Sequence, residues 1–295
     1  MDTEVFKSEE FSKVYQDNMV PVSEKVLNLI LSNLEEKKGR PFELAVDAGC
    51  GTGRSTRPLA EHFRKVIGID ISESQIHIAR KCTLQENITY QISPAEKMPL
   101  EDASVDLINV DLAAHWFLAD QFIFEVNRVL KKKGCLALHA MYPKFALQYK
   151  NCSEKLTNMC NEVLNNLYKH EDVIDIISSQ YQELFEALPF ADKRRITDIS
   201  EIYNLTPQEI LGFFKSSFMY QKFLAKDRAA ATAFLQTVEK RVADITGELS
   251  GDEILELHFA VKSMSLFFCP NIAIDQVWIK QLANYICLIQ TCHVF

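Results

Sequence analysis

The chain has 295 residues, 47% of them hydrophobic and 24% charged, which allows one α/β domain with a sizeable core and an insertion. A formal net charge of −8 argues against a nucleic-acid partner, since binding a phosphate backbone needs a basic footprint. Eight cysteines, at positions 50, 82, 135, 152, 160, 269, 287 and 292, form neither a Cys-x-x-Cys pair nor a zinc spacing, so they read as reduced thiols with no metal site. The first ten residues are polar and acidic, and no uncharged apolar run reaches the ~18 residues needed to span a bilayer. A soluble, cytoplasmic protein is expected.

Residues 1–38 read as a helical arm, with a helix start at Pro21-Val22-Ser23-Glu24 and with Leu27, Ile30, Leu31 and Leu34 on one face. A first strand near 43–47 then runs into Asp47-Ala48-Gly49-Cys50-Gly51-Thr52-Gly53. An apolar run that ends in an acid and then in glycines at alternate positions is a strand entering a ligand-binding turn. Glycine allows positive φ and close backbone approach, and the helix beyond it presents unpaired N–H groups. Val66-Ile67-Gly68-Ile69-Asp70 repeats the pattern, placing a second carboxylate at a strand tip 19 residues after Gly51. Such a carboxylate can accept both hydroxyls of a ribose.

Strands near 65–70, 88–92, 105–110 and 135–141 alternate with helices near 54–63, 73–83 and 119–132, the pattern of a parallel, doubly wound sheet over a core of residues 39–141. Lys131, Lys132 and Lys133 read as the solvated end of the last of these helices. Residues 142–247 read as a helical cap without strands, built on helices near 154–167, 173–188, 207–215 and 228–245. Within 248–269, segments 253–260 and 262–269 read as two closing antiparallel strands. The fold expected is therefore α/β, with a doubly wound, mostly parallel seven-stranded sheet and a helical cap insertion. Residues 270–295 form an added tail with the pattern of an amphipathic helix.

The glycine spacing differs from the Gly-x-Gly-x-x-Gly of dinucleotide-binding folds and resembles that of class I S-adenosylmethionine-dependent methyltransferases. Further elements resemble that family in the expected order: Ser93-Pro94-Ala95-Glu96-Lys97-Met98-Pro99 after the third strand, Ser104 to Val110 as the fourth, and Glu125 to Leu138 as helix, turn and fifth strand. Ala113-Ala114-His115-Trp116-Phe117, with Phe214 to Phe223 downstream, is similar to elements of the group that includes the trans-aconitate methyltransferases. The arm departs from that group, having Gln16-Asp17-Asn18-Met19-Val20-Pro21 in place of its Tyr-x-x-x-Arg-Pro-x-Tyr-Pro pattern.

The resemblance implies S-adenosylmethionine as cofactor and direct in-line methyl transfer to a small molecule, expected to be O-methylation of a carboxylic acid. It implies cofactor-side roles for Asp47, Gly49, Gly51, Gly53, Asp70, Ile71, Ala95, Glu96 and Asp111. His115 and Trp116, on the loop after the fourth strand, are the catalytic candidates, His115 by orienting the acceptor or acting as a base. Tyr220, Ser217 and Arg195 in the cap are the substrate candidates, Arg195 for its bidentate fit to a carboxylate. Two further readings stay open: a non-catalytic or regulatory S-adenosylmethionine-binding protein, and a nicotinamide-dependent oxidoreductase, which the glycine spacing disfavours. Oligomeric state is not legible in the sequence.

Overall fold

In the computed structural model, the structure describes residues 4–168, 182–188, 190, 192–196, 199–247 and 253–262. The expected tail 270–295 lies outside them. After a short 3-10 turn, the arm forms α1 (Glu9–Asn18) and α2 (Glu24–Lys38). Each starts where a serine hydroxyl accepts a helix N–H: Ser8 from Phe11 at 3.2 Å and Ser23 from Val26 at 3.1 Å. Lys37 and Lys38 occupy the last turn of α2, where cations complement the helix dipole.

The core then alternates β1 (Leu44–Ala48), α3 (Thr56–Leu59), β2 (Lys65–Asp70), α4 (Glu73–Lys81), β3 (Ile88–Ile92), β4 (Val105–Asp111) and α5 (Ala119–Val129). An extended stretch, β5 (Leu130–Gln148), follows without a break, so α5 ends earlier than its expected limit near 132. The lysine run therefore belongs to β5, where Lys131 pairs with the buried Asp106 at 2.9 Å. Beyond it come α6 (Ser153–Tyr168), α7 (Gln182–Ala187), β6 (Ile199–Leu205), α8 (Pro207–Ser216), α9 (Phe218–Lys226), α10 (Arg228–Thr246) and β7 (Leu255–Lys262).

The seven strands lie in the order β3-β2-β1-β4-β5-β7-β6, parallel from β3 to β5, with β7 antiparallel to both of its neighbours. This corrects the expected closing pair. β6 arises inside the segment read as wholly helical, and β7 has both edges filled, by β5 and β6, leaving no place beside it for 262–269 as a hairpin partner. Residues 263–269 are outside the described set.

Both faces of the sheet are covered, so its central strands bury residues on each side. Ala45, Val66 and Leu107 join a core packed under α2, α6 and α8, while Val46, Ile67 and Ile108 join another under α5. Strand order reverses between β2-β1 and β4-β5, the topological switch point at which open α/β sheets bind ligands beyond their carboxyl ends. Asp47, Asp70 and Asp111 stand at or next to the ends of β1, β2 and β4 there.

Candidate active site

The glycine turn is tied to β2 by its own backbone. The amides of Gly49 and Cys50 both donate to the Ile69 carbonyl, at 2.8 and 3.0 Å, and Gly53 donates to the Cys50 carbonyl at 2.9 Å. Asp47 lies beneath the turn with no exposed surface. Its Oδ2 accepts from Ser55 Oγ at 2.9 Å and Thr56 Oγ1 at 2.6 Å, and its Oδ1 from Asn109 Nδ2 at 2.8 Å. Burial pushes its carboxyl up to about 6 despite these bonds.

Two of the glycines fit for different reasons. Gly49, at φ +69°, faces the cavity, and a Cβ there would come within 2.5 Å of Ala113 Cβ. Gly53, at φ +75°, instead faces inward, and a Cβ there would collide with the Tyr90 hydroxyl, which is bonded to Thr83 Oγ1 at 2.9 Å. Gly53→Ala therefore combines left-handed strain with a clash and is expected to cost about 1–3 kcal/mol. Chemical denaturation checks this, and an unchanged midpoint would rule out the packing role.

At the end of β2, Asp70 Oδ2 accepts the Gly51 amide at 2.9 Å and Oδ1 accepts that of Ser72 at 2.8 Å. Burial pushes its carboxyl up while these backbone donors pull it down. Each oxygen keeps lone-pair capacity toward the cavity that Asp70 lines. Gly51, Ile71, Ala95 and Glu96 line the same end. Ile71 is 62% exposed, an unusual position for an aliphatic side chain, whereas Ala95 is buried. Glu96 Oε1 accepts the Leu118 amide at 2.7 Å, fixing the loop that carries His115 and Trp116.

The cavity holds about 360 Å³ and runs from this end to an aromatic chamber beneath the arm. Asp111, His115, Trp116 and Ser217 are on its wall. Trp116 packs edge-on against Phe6 (5.3 Å) and Phe218 (4.9 Å), and Phe6 stacks on Phe218 at 5.2 Å, so arm and cap meet over the cavity. Burial pushes the His115 imidazole down to about 3. A ring so weakly basic is neutral at physiological pH, which counts against the expected role as a base.

Five expected positions differ from their assignment. Asp47 and Gly53 stand behind the turn and do not line the cavity. Tyr220, 4% exposed, and Arg195, which donates to Gln182 Oε1, also stand off the wall. Ser217 lines the cavity, but its hydroxyl accepts the Tyr220 amide at 3.2 Å as the cap of α9.

Other residues enter without having been expected. Arg54 spans from the glycine turn to the arm, its Nη1 donating to the Gln16 carbonyl at 3.0 Å and its Nη2 to those of Met19 and Val20, both at 2.5 Å. Tyr15, Met141, Phe145, Phe213 and Phe259 build the far chamber, and His139 completes the wall beside Asp111.

A family model described as a methyltransferase domain matches residues 46–138. A protein of Dictyostelium discoideum described as a methyltransferase is 39% identical over 260 residues, covering 85% of this chain and 90% of that one. A malonyl-acyl-carrier-protein O-methyltransferase of Methylovorus is 32% identical over 124 residues, 39% of this chain and 42% of its own. A type II methyltransferase structure from Anaeromyxobacter dehalogenans shares the fold at TM-score 0.59 and 22% identity, over 81% of this chain and 95% of that one. Glycine turn, second strand-end carboxylate, strand order and the long Dictyostelium match agree: the chain belongs to the class I S-adenosylmethionine-dependent methyltransferases.

Proposed function

We propose that this methyltransferase acts on a small molecule whose body is largely apolar and which sits in the chamber beneath the arm. The observation that carries this reading is the single cavity joining the Asp70 end to a chamber walled by Met141, Phe145, Phe213 and Phe259. Enclosed apolar walls with a few polar groups suit a small ligand better than a protein surface. The arm and the segment between β5 and β7 supply this cover, which gives that segment the role of a substrate cap.

The residues at the cofactor end suit S-adenosylmethionine. Asp70 has spare acceptor capacity for a ribose diol, Gly49 and Gly51 leave the turn open to close approach, and Ile71 and Ala95 offer apolar surface to an adenine. Asp47 and Gly53 act through the turn, holding it in shape. When bound, the cofactor supplies an electrophilic methyl group on a cationic sulfur. The chain's part is to align the acceptor with that methyl, exclude water and wall the site with Trp116, whose π face suits a cation.

The expected carboxylic-acid acceptor rested on the resemblance to the trans-aconitate group, and Arg195, the residue offered to bind it, stands off the wall. Of the cations on the wall, Arg54 is engaged with three arm carbonyls, His139 is buried with both ring nitrogens turned to Asn109 and Asp111, and Lys7 is an exposed rim residue paired with Glu4. Support for a carboxylate therefore comes from that resemblance and from the Methylovorus relative's name, not from a residue on the wall.

Calorimetric titration with S-adenosylmethionine and S-adenosylhomocysteine tests the cofactor half. Micromolar binding is expected, and no binding of either would overturn the cofactor half of the reading. His115→Gln tests the acceptor half once turnover is measured. It should lower kcat several-fold while leaving the pH profile's limbs in place, because His115 stays neutral between pH 5 and 9. Loss of a limb in the variant would restore the base role.

A further inference from the structure

A buried chain of hydrogen bonds crosses three strands beneath the cavity. Asn109 donates through Nδ2 to Asp47 Oδ1, which turns the Asn109 Oδ1 toward His139 Nε2, 3.0 Å away. His139 Nδ1 in turn lies 3.0 Å from Asp111 Oδ1. Both ring nitrogens thus face acceptors, so both carry hydrogen and the ring is an imidazolium. Burial works against that charge, but the neighbouring Asp111 carboxylate and its hydrogen bond outweigh it and raise the group above its ordinary value. Asn109 is 3% exposed and His139 6%, while the Asp111 side chain, 17% exposed, opens onto the cavity.

Hydrogen-bond capacity around Asp111 is one-sided. His139 spends both of its donors, Arg54 spends three of its five N–H donors on arm carbonyls, and the Tyr203 hydroxyl donates to the Pro21 carbonyl at 3.0 Å. Among the described residues of this part of the wall, the capacity left over is the Asp111 carboxylate, the remaining N–H groups of Arg54 and the neutral hydroxyls of Tyr15 and Tyr168. Beyond them the chamber is aromatic, with Phe145 and Phe213 rings 5.1 and 5.4 Å from that of Phe259. A carboxylate placed there would stand against the Asp111 carboxylate, while the imidazolium behind it is buried with both of its N–H groups spent and Arg54 is held by the arm.

Resting on the methyltransferase reading, we infer that the acceptor is an apolar molecule carrying a nucleophile with a hydrogen of its own, a phenol, alcohol or amine, and that Asp111 receives that hydrogen. The acceptor's lone pair forms the bond to the methyl carbon as the methyl–sulfur bond breaks and leaves its electron pair on sulfur. The hydrogen leaves the acceptor atom as a proton, first to Asp111 and then to water, so atoms and charge balance. His139 is a positioning residue: it holds Asp111 in one orientation, and Asn109 and Asp47 hold it.

The test uses the full chain saturated with S-adenosylhomocysteine and two probes of matched size, 4-propylphenol and 4-propylbenzoate, titrated calorimetrically. The phenol should bind about tenfold tighter than the benzoate, because a like charge against Asp111 is disfavoured. In Asp111→Asn the gap should shrink, chiefly by a gain in benzoate affinity, a change that a merely structural Asp111 would not produce. Equal or tighter benzoate binding by the wild-type protein overturns the proposal, and so does binding of neither probe; both results stand whether or not the variant folds. Failure of S-adenosylhomocysteine itself to bind overturns the underlying methyltransferase reading, and is seen before any probe is added.

Discussion

Asp70→Ala is expected to weaken S-adenosylmethionine and S-adenosylhomocysteine binding by about 1.5–3 kcal/mol, roughly tenfold to 150-fold in Kd, the range for hydrogen bonds to a charged group. The carboxylate has two tasks. It accepts the amides of Gly51 and Ser72, which shapes the turn and starts α4, and it presents its remaining lone pairs to the cavity. Alanine removes both, so a modest fall in Tm should accompany the loss of affinity. Asp70→Asn separates them: it keeps one acceptor oxygen for the backbone while placing a donor where a diol's hydroxyl hydrogens would point. Calorimetry and thermal melting of both variants decide the matter, and unchanged affinity in Asp70→Ala would remove the residue from the ligand site.

The largest stability effect should come from Asp47→Ala, at about 3–5 kcal/mol, because it strands buried donors on Ser55, Thr56 and Asn109 at once. Asp47→Asn should cost much less, since the two hydroxyls can reverse and donate elsewhere while the contact with Asn109 persists. The pair also carries a pH signature. Folding raises the Asp47 carboxyl from 3.8 to about 6, so the native state holds its proton more tightly than the unfolded chain does. The stabilisation from that proton is complete below pH 4 and is lost as pH rises toward 6. Asparagine has no proton to lose, so Asp47→Asn should gain stability relative to wild type between pH 4 and 6.5. Urea midpoints across that range measure the difference, and parallel curves would show that Asp47 is not the titrating group.

The glycine turn and the strand ends beside it were legible in the sequence because their signals are local. A strand end, a glycine turn and an N-capping serine are each written within a few neighbouring residues, as in Asp47 to Gly53 and Asp70 to Ser72. β6 was not legible, for a physical reason. It is an edge strand that turns Ile202 outward at 52% exposure and Glu201 inward, where Glu201 meets Ser23 and Lys25, so the apolar alternation that marks a strand is scrambled. Arg54 is similar: its partners are backbone carbonyls of the arm, which no side-chain pattern records. Arg195 and Tyr220 failed because residue type suggests chemistry without fixing direction. The pairing of Asp111 with His139 did leave a trace, since the two are register partners on the adjacent parallel strands β4 and β5. Aligning the ends of the two strand patterns would have brought them together.

The arm is fastened at both ends of the cavity. Arg54 holds its middle by three carbonyls, and the hydroxyls of Ser72 and Ser74 donate to the Phe6 carbonyl at 2.6 and 2.8 Å, beside the ring cluster with Trp116 and Phe218. One element therefore lines both the Asp70 end and the aromatic chamber of the cavity. Were ligand exchange to require the arm to lift, chemistry and exchange would become alternating phases of each cycle, and the dwell time of the arm would set a ceiling on turnover independent of the methyl-transfer barrier. Loosening the Arg54 contacts would then raise that ceiling at the expense of the dryness on which the transfer step depends.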